Sequence, residues 1–176
     1  MDTAIYAIGQ TLGIIAVILG FISFQMKSAR GILVFQIITA LVFSAHYFLI
    51  GAKTAVALNF AAAIQDVFYY FRNKRGSKSI VDPIFFTSLM VVLSILTWES
   101  WYSVFIMLGL AVISVSFSFS GANKIRASMF VKSPLCLVYN ILVFSAGGII
   151  YECAVLISSA IGLIRSKKSA SSNTHT

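Results

Sequence analysis

The sequence predicts an all-α membrane protein of seven transmembrane helices, and three observations carry that reading. The 176 residues are 59% hydrophobic and only 10% charged, with a mean hydropathy of +0.95, far outside the range of water-soluble domains. The apolar residues gather into seven stretches close to the ~20 residues that cross a bilayer. Eleven of the thirteen Lys and Arg residues fall in every second gap between those stretches: Lys27 and Arg30; Arg72, Lys74, Arg75 and Lys78; Lys124 and Arg126; Arg165, Lys167 and Lys168. Short loops that stay in the cytoplasm keep an excess of Lys and Arg, so the basic side is read as inside. The opposite side carries Lys53 against Asp2 and Glu99. With seven spans this places the N-terminus outside and the C-terminus inside.

The spans in order are 5–24, 31–50, 54–71, 83–98, 101–119, 127–144 and 147–164. Met1 precedes Asp2 rather than a basic segment, and no A-x-A-like site follows the first stretch, so an uncleaved first span is expected. The links are short, which makes consecutive helices antiparallel neighbours. The long run from Ser79 to Ser120 is divided at Trp98-Glu99-Ser100-Trp101, a polar turn whose Trp residues suit the headgroup level. Asp82-Pro83 is expected to open the fourth helix, Asp as N-cap and Pro at the first helical position. Pro134 is expected to kink the sixth. Ser, Asn and Thr dominate the tail 169–176, which is expected to be disordered.

Shifting the chain by 93 residues lays helices one to three over helices five to seven and leaves the fourth as a connector. Ser23 and Phe24 then meet Ser116 and Phe117, Leu49 meets Leu142, Ala61 meets Ala154, Ile64 meets Ile157, Arg72 meets Arg165 and Lys74 meets Lys167. Two three-helix units of the same orientation need an odd number of extra spans between them. The sequence thus predicts a 3+1+3 parallel-repeat bundle, one membrane domain with units at 1–78 and 100–168, a connector at 79–99 and the tail. Transporters built from parallel repeats hold substrate between them.

Composition also excludes functions. The net charge of +8 and pI near 9.7 sit at loop ends rather than on a folded basic face, which argues against nucleic acid and for anionic lipid headgroups. Cys136 and Cys153 lie in apolar stretches without metal-ligand spacing and read as small core residues. No phosphate-cradling loop, H-E-x-x-H or Ser-His-Asp grouping is present, so neither an enzyme, nor a metal site, nor a cofactor is expected.

Polar side chains within spans are costly and usually face the bundle interior or a watery path. At about 1.5 Å per residue from the outer helix ends, His46, Asn59, Tyr139, Asn140 and Glu152 share one layer in the outer half. The 93-residue shift maps His46 onto Tyr139 and Asn59 onto Glu152. Two readings stand: a binding site for a small polar solute, with Tyr47 and Tyr139 as aromatic walls, or a hydrogen-bond network between helices. Asp66 and Lys132 lie deeper, at similar depths, and are expected to pair as part of an inner gate or helix clamp, although a protonated Asp66 or a snorkelling Lys132 would also meet the cost of burial. Gln10, Gln25, Gln36 and Gln65 read as interhelical hydrogen-bond donors. The Ala57, Ala61, Ala62, Ala63 cluster reads as close helix packing. Ser114, Ser116, Ser118 and Ser120 are assigned no function.

The segment Gly20, Phe24, Gln25, Lys27, Arg30 with His46-Tyr47-Phe48-Leu49-Ile50-Gly51, followed by Asn140, Gly147-Gly148, Glu152 and Ile164-Arg165, resembles the YgjV-type bacterial inner membrane proteins over nearly the whole chain. Tyr139 stands where that likeness leads one to expect His. More distantly, Phe24-Gln25 resembles the Pro-Gln dipeptide of PQ-loop and SWEET-type carriers, with Phe in place of Pro and Asn59 near their third-helix Asn. The resemblance implies a multi-pass protein of the bacterial inner membrane. The function expected is a carrier of a small polar solute working by alternating access; a receptor, assembly factor or complex subunit is the alternative. Its partners are the lipid bilayer and that solute, with assembly into a homo-oligomer left open.

Overall fold

The computed structural model describes residues 3–75, 79–119 and 121–172. Asp2, Lys78, Ser120 and residues 173–176 of the expected tail lie outside them. Among the described residues there are seven helices and no strand: α1 (Thr3–Gln25), α2 (Ala29–Ile50), α3 (Lys53–Arg75), α4 (Val81–Leu96), α5 (Ser103–Phe117), α6 (Ala122–Leu142) and α7 (Ala146–Ser172). The segments Ala4–Gln25, Ala29–Ile50 and Ala146–Lys168 are long and apolar enough to cross a membrane. The apolar α4 and α5 have only 16 and 15 residues, whereas α3 ends and α6 begins in basic residues.

Every helix lies where an apolar stretch predicts one, but several run further. The sixth starts at Ala122 rather than 127, and the seventh continues to Ser172, past the expected start of the tail. Hydropathy marks the part of a helix that lipid can cover, while backbone hydrogen bonding continues into the headgroup zone wherever the residues are fair helix formers.

The helix ends have identifiable causes. Ser28 caps α2, its hydroxyl accepting the Gly31 N–H at 3.1 Å. Gly51 ends the helix at φ 84°, a left-handed conformation that suits a residue without Cβ. The Glu99 carboxylate accepts the Lys53 and Thr54 N–H groups at 3.0 and 3.1 Å, so the α4–α5 turn caps the start of α3. Asp82 does not cap α4: the helix begins two residues earlier than expected, at Val81 rather than Pro83, and the Asp82 carboxylate instead accepts the Arg72 guanidinium at 2.9 Å. An ion pair across α3 and α4 outcompetes a local cap. Pro83 still sits in the first turn, where its missing N–H has no intrahelical partner to lose.

Arginines close two helix C-termini. Arg126 donates to the Phe24 and Met26 carbonyls at 3.0 and 2.5 Å, and Arg72 donates to the Ser118 carbonyl. Both place positive charge where the helix dipole is negative.

Packing arranges α1 against α2 and α7, α2 against α3, α6 against α5 and α7, and α4 against α5 and α3, while α2 and α6 touch. The tightest crossing lies between α1 and α7. A Cβ on Gly147 would stand 2.5 Å from the Gly13 Cα, and one on Gly13 would stand 2.8 Å from the Gly147 Cα. The surface is apolar, with Ile8, Ile18, Phe48 and Ile164 more than half exposed, while His46, Gln65, Ser114 and Ser158 have no exposed surface at all. A chain that hides its polar groups and presents Ile and Phe outward is built for lipid.

Candidate functional site

Two groups of buried polar residues, joined by Tyr47, contain the candidate site residues. The first is a clamp at the end of the bundle opposite the basic loops. The His46 ring bridges the Gly9 carbonyl through Nδ1 and the Ser145 Oγ through Nε2, both at 2.7 Å. A carbonyl can only accept, so Nδ1 carries the hydrogen and, in the neutral ring, the Ser145 hydroxyl donates to Nε2. Ser145 Oγ also accepts the Gly148 N–H at 3.1 Å, and the Tyr47 hydroxyl donates to Asn140 Oδ1 at 2.6 Å. The Tyr139 ring stacks edgewise between Tyr47 and Tyr102, with centroids 6.4 and 6.0 Å away.

The second group surrounds a cavity of about 40 Å³ among α2, α3, α5, α6 and α7. Its polar wall includes Gln36, Asn59, Asp66, Lys132, Tyr151 and Glu152. Lys132 Nζ forms an ion pair with Glu152 Oε1, tying α6 to α7, and lies 5.1 Å from the centroid of the Tyr151 ring. The Tyr151 hydroxyl donates to Gln36 Oε1 at 3.2 Å, Gln36 Nε2 donates to Ser23 Oγ at 3.1 Å, and Ser23 donates to the Ile32 carbonyl at 3.0 Å. Asn59 Nδ2 donates to the Ala55 carbonyl at 2.9 Å, which leaves its carbonyl oxygen as an acceptor. Asp66 is 2% exposed, and its Oδ1 has no hydrogen-bond partner.

The expected outer layer is thus divided. Asn59 and Glu152 line the cavity, Tyr47 touches both groups, and His46, Tyr139 and Asn140 belong to the clamp. The expected Asp66–Lys132 ion pair is replaced by Lys132–Glu152, although Asp66 and Lys132 share the cavity wall. Depth along a helix ignores the direction a side chain takes, and a lysine's long stem carries its ammonium well away from its own level. Gln25 lies apart from the cavity, its Nε2 donating to Ser158 Oγ and the Ser158 carbonyl at 2.7 and 3.1 Å. Gln36, read from the sequence as an interhelical hydrogen-bond donor, is one and also lines the cavity; Tyr151 is a cavity residue that sequence reasoning passed over, because a lone Tyr in a span carries no signal of the face it occupies.

An apolar outside and a buried polar interior define a helical membrane protein. The chain matches the Imp-YgjV family of bacterial inner membrane proteins over residues 7–170, and it belongs to that family. No match is found among curated proteins or solved structures. A likeness to PQ-loop carriers is not shown by these comparisons.

Proposed function

We propose that this inner membrane protein is a carrier, binding a small polar solute in the central cavity and exposing it alternately to the two sides. The observation that carries the reading is the convergence of Asp66, Lys132 and Glu152 on one cavity. A charged side chain at mid-helix costs roughly 3 kcal/mol to insert, whereas an interhelical hydrogen bond returns only about 0.6 kcal/mol on average. A network needed for packing alone could be built from Ser, Asn and Gln at less cost, as at Gln65 and Ser114, whose side chains bond at 2.5 Å.

The proposal includes seven spans, the 3+1+3 repeat, and an outside N-terminus with the C-terminus inside. The repeat is supported by register: the starts of α2 and α3, Ala29 and Lys53, shifted by 93 residues, fall on Ala122 and Ala146, the starts of α6 and α7. The equivalent pairs Ser23-Phe24 and Ser116-Phe117 are all at most 2% exposed. Tyr47 and Asn140, which are 93 residues apart, bond to each other, as equivalent positions do on a two-fold axis. Orientation is supported by the alternation of basic loops. The small cavity volume favours the second reading, a receptor, assembly factor or complex subunit that does not transport.

Cys136, on the cavity wall, provides the test. In vesicles of both orientations carrying the Cys153→Ser protein, a small membrane-impermeant thiol reagent is expected to label Cys136 slowly from either face. Labelling from neither face in the folded protein, with full labelling after denaturation, would sink the carrier reading.

A further inference from the structure

The cavity wall carries more acidic groups than basic ones. It carries two carboxyl groups, Asp66 on α3 and Glu152 on α7, and one basic group, Lys132, whose ammonium is engaged by Glu152. The other titratable groups lining it are Tyr47, Cys136 and Tyr151, none of which supplies positive charge. The nearby arginines are occupied elsewhere, Arg72 with Asp82 and Ser118, Arg126 with the end of α1. Asp66 Oδ1 and Glu152 Oε2 both lack a hydrogen-bond partner, and their residues are only 2% and 3% exposed.

We propose that the cavity binds one small monovalent cation, an alkali-metal ion or a protonated amine, with Asp66 as its direct counter-charge. The inference rests on the carrier reading for its site and names the class of solute. Sign follows from the kinds of group present: an anion would meet two carboxyl groups, whereas a cation supplies the positive charge that lets Asp66 ionise in a low-dielectric interior. Valence follows from the number of groups, since divalent ions such as calcium take six to eight oxygen ligands. No group of three His, Cys, Asp or Glu side chains able to hold a metal lies among the described residues. Size follows from the volume, because about 40 Å³ holds a few heavy atoms. The free oxygen of Glu152 and the Asn59 carbonyl supply further acceptors on the wall, and the faces of Phe43 and Phe117 suit an ammonium group.

The experiment is thermal unfolding of the purified full chain in detergent, titrated with sodium, potassium or methylammonium chloride against choline chloride at constant ionic strength. A cation that binds the native state raises the transition saturably, so at least one of the three is expected to do so by several degrees over choline. Asp66→Asn is expected to abolish that rise while keeping a cooperative transition, and Asp66→Glu to keep a rise with an altered order of cations. Equal responses to all four salts, or a rise that survives in Asp66→Asn, would overturn the proposal. If Asp66→Asn does not fold, the titration of the unaltered chain decides, since no saturable rise means no site. Absent cation binding with Cys136 labelled from both faces would remove the solute class and leave the carrier; cation binding with Cys136 never labelled would do the reverse.

Discussion

Lys132 and Glu152 are each within 5% of complete burial, so the fate of one depends on the other. Lys132→Met is expected to lower stability by about 3–5 kcal/mol, because it strands a carboxylate in the interior, while Lys132→Met with Glu152→Met recovers most of that loss. Reversible unfolding in mixed micelles measures both, and a double variant no more stable than the single one would count against the pair. Tyr47→Phe removes only the donor to Asn140, and by the same measurement should cost about 0.6 kcal/mol and no more than about 1.7. The polar residues of the interior were legible in the sequence, since any His, Asn, Asp or Glu inside a span stands out. Their pairing was not. Asp66 and Lys132 sit at matching depths, but partner choice depends on helix rotation and side-chain reach, which counting from a helix end leaves undetermined.

Helix α7 meets α1 through bare backbone at Gly147 and Gly13. Gly147→Ala is expected to force the two helices apart and to destabilise by about 1–3 kcal/mol, the range for overpacking a filled site. Gly121→Ala, with only the Lys124 side chain at 4.0 Å, should change little, and comparing the two in one thermal series checks that steric origin. At the start of α3, Glu99→Ala removes the acceptor of two N–H groups and should cost about 0.5–2 kcal/mol, as loss of a cap does. The elements were the most legible part of the sequence: apolar runs of near-bilayer length, separated by charge or by Trp98-Glu99-Ser100-Trp101, specify where helices must lie. Cap partners were hidden, because Glu99 is 45 or more residues from the N–H groups it accepts. Asp82 misled for the related reason that its competitor, Arg72, becomes a neighbour only when α3 and α4 pack.

For the molecule as a whole, charge and hydropathy give an expected topology that fusions can check. Green fluorescent protein placed after the C-terminus should fluoresce and alkaline phosphatase there should be inactive; the opposite pattern would reverse the proposed orientation. The ion pair also bears on how the chain enters the membrane. Helices reach the translocon in the order of their synthesis, and Glu152 follows Lys132 by 20 residues. A lone lysine at mid-helix opposes insertion by roughly 2.5–3.5 kcal/mol, so on the proposed topology α6 is expected to wait beside the channel until α7 brings the carboxylate, and the two then to partition into lipid as a hairpin. A nascent chain stopped at Ser145 should leave α6 poorly inserted, and extending it past Glu152 should restore insertion, which makes the last helix a condition for the one before it.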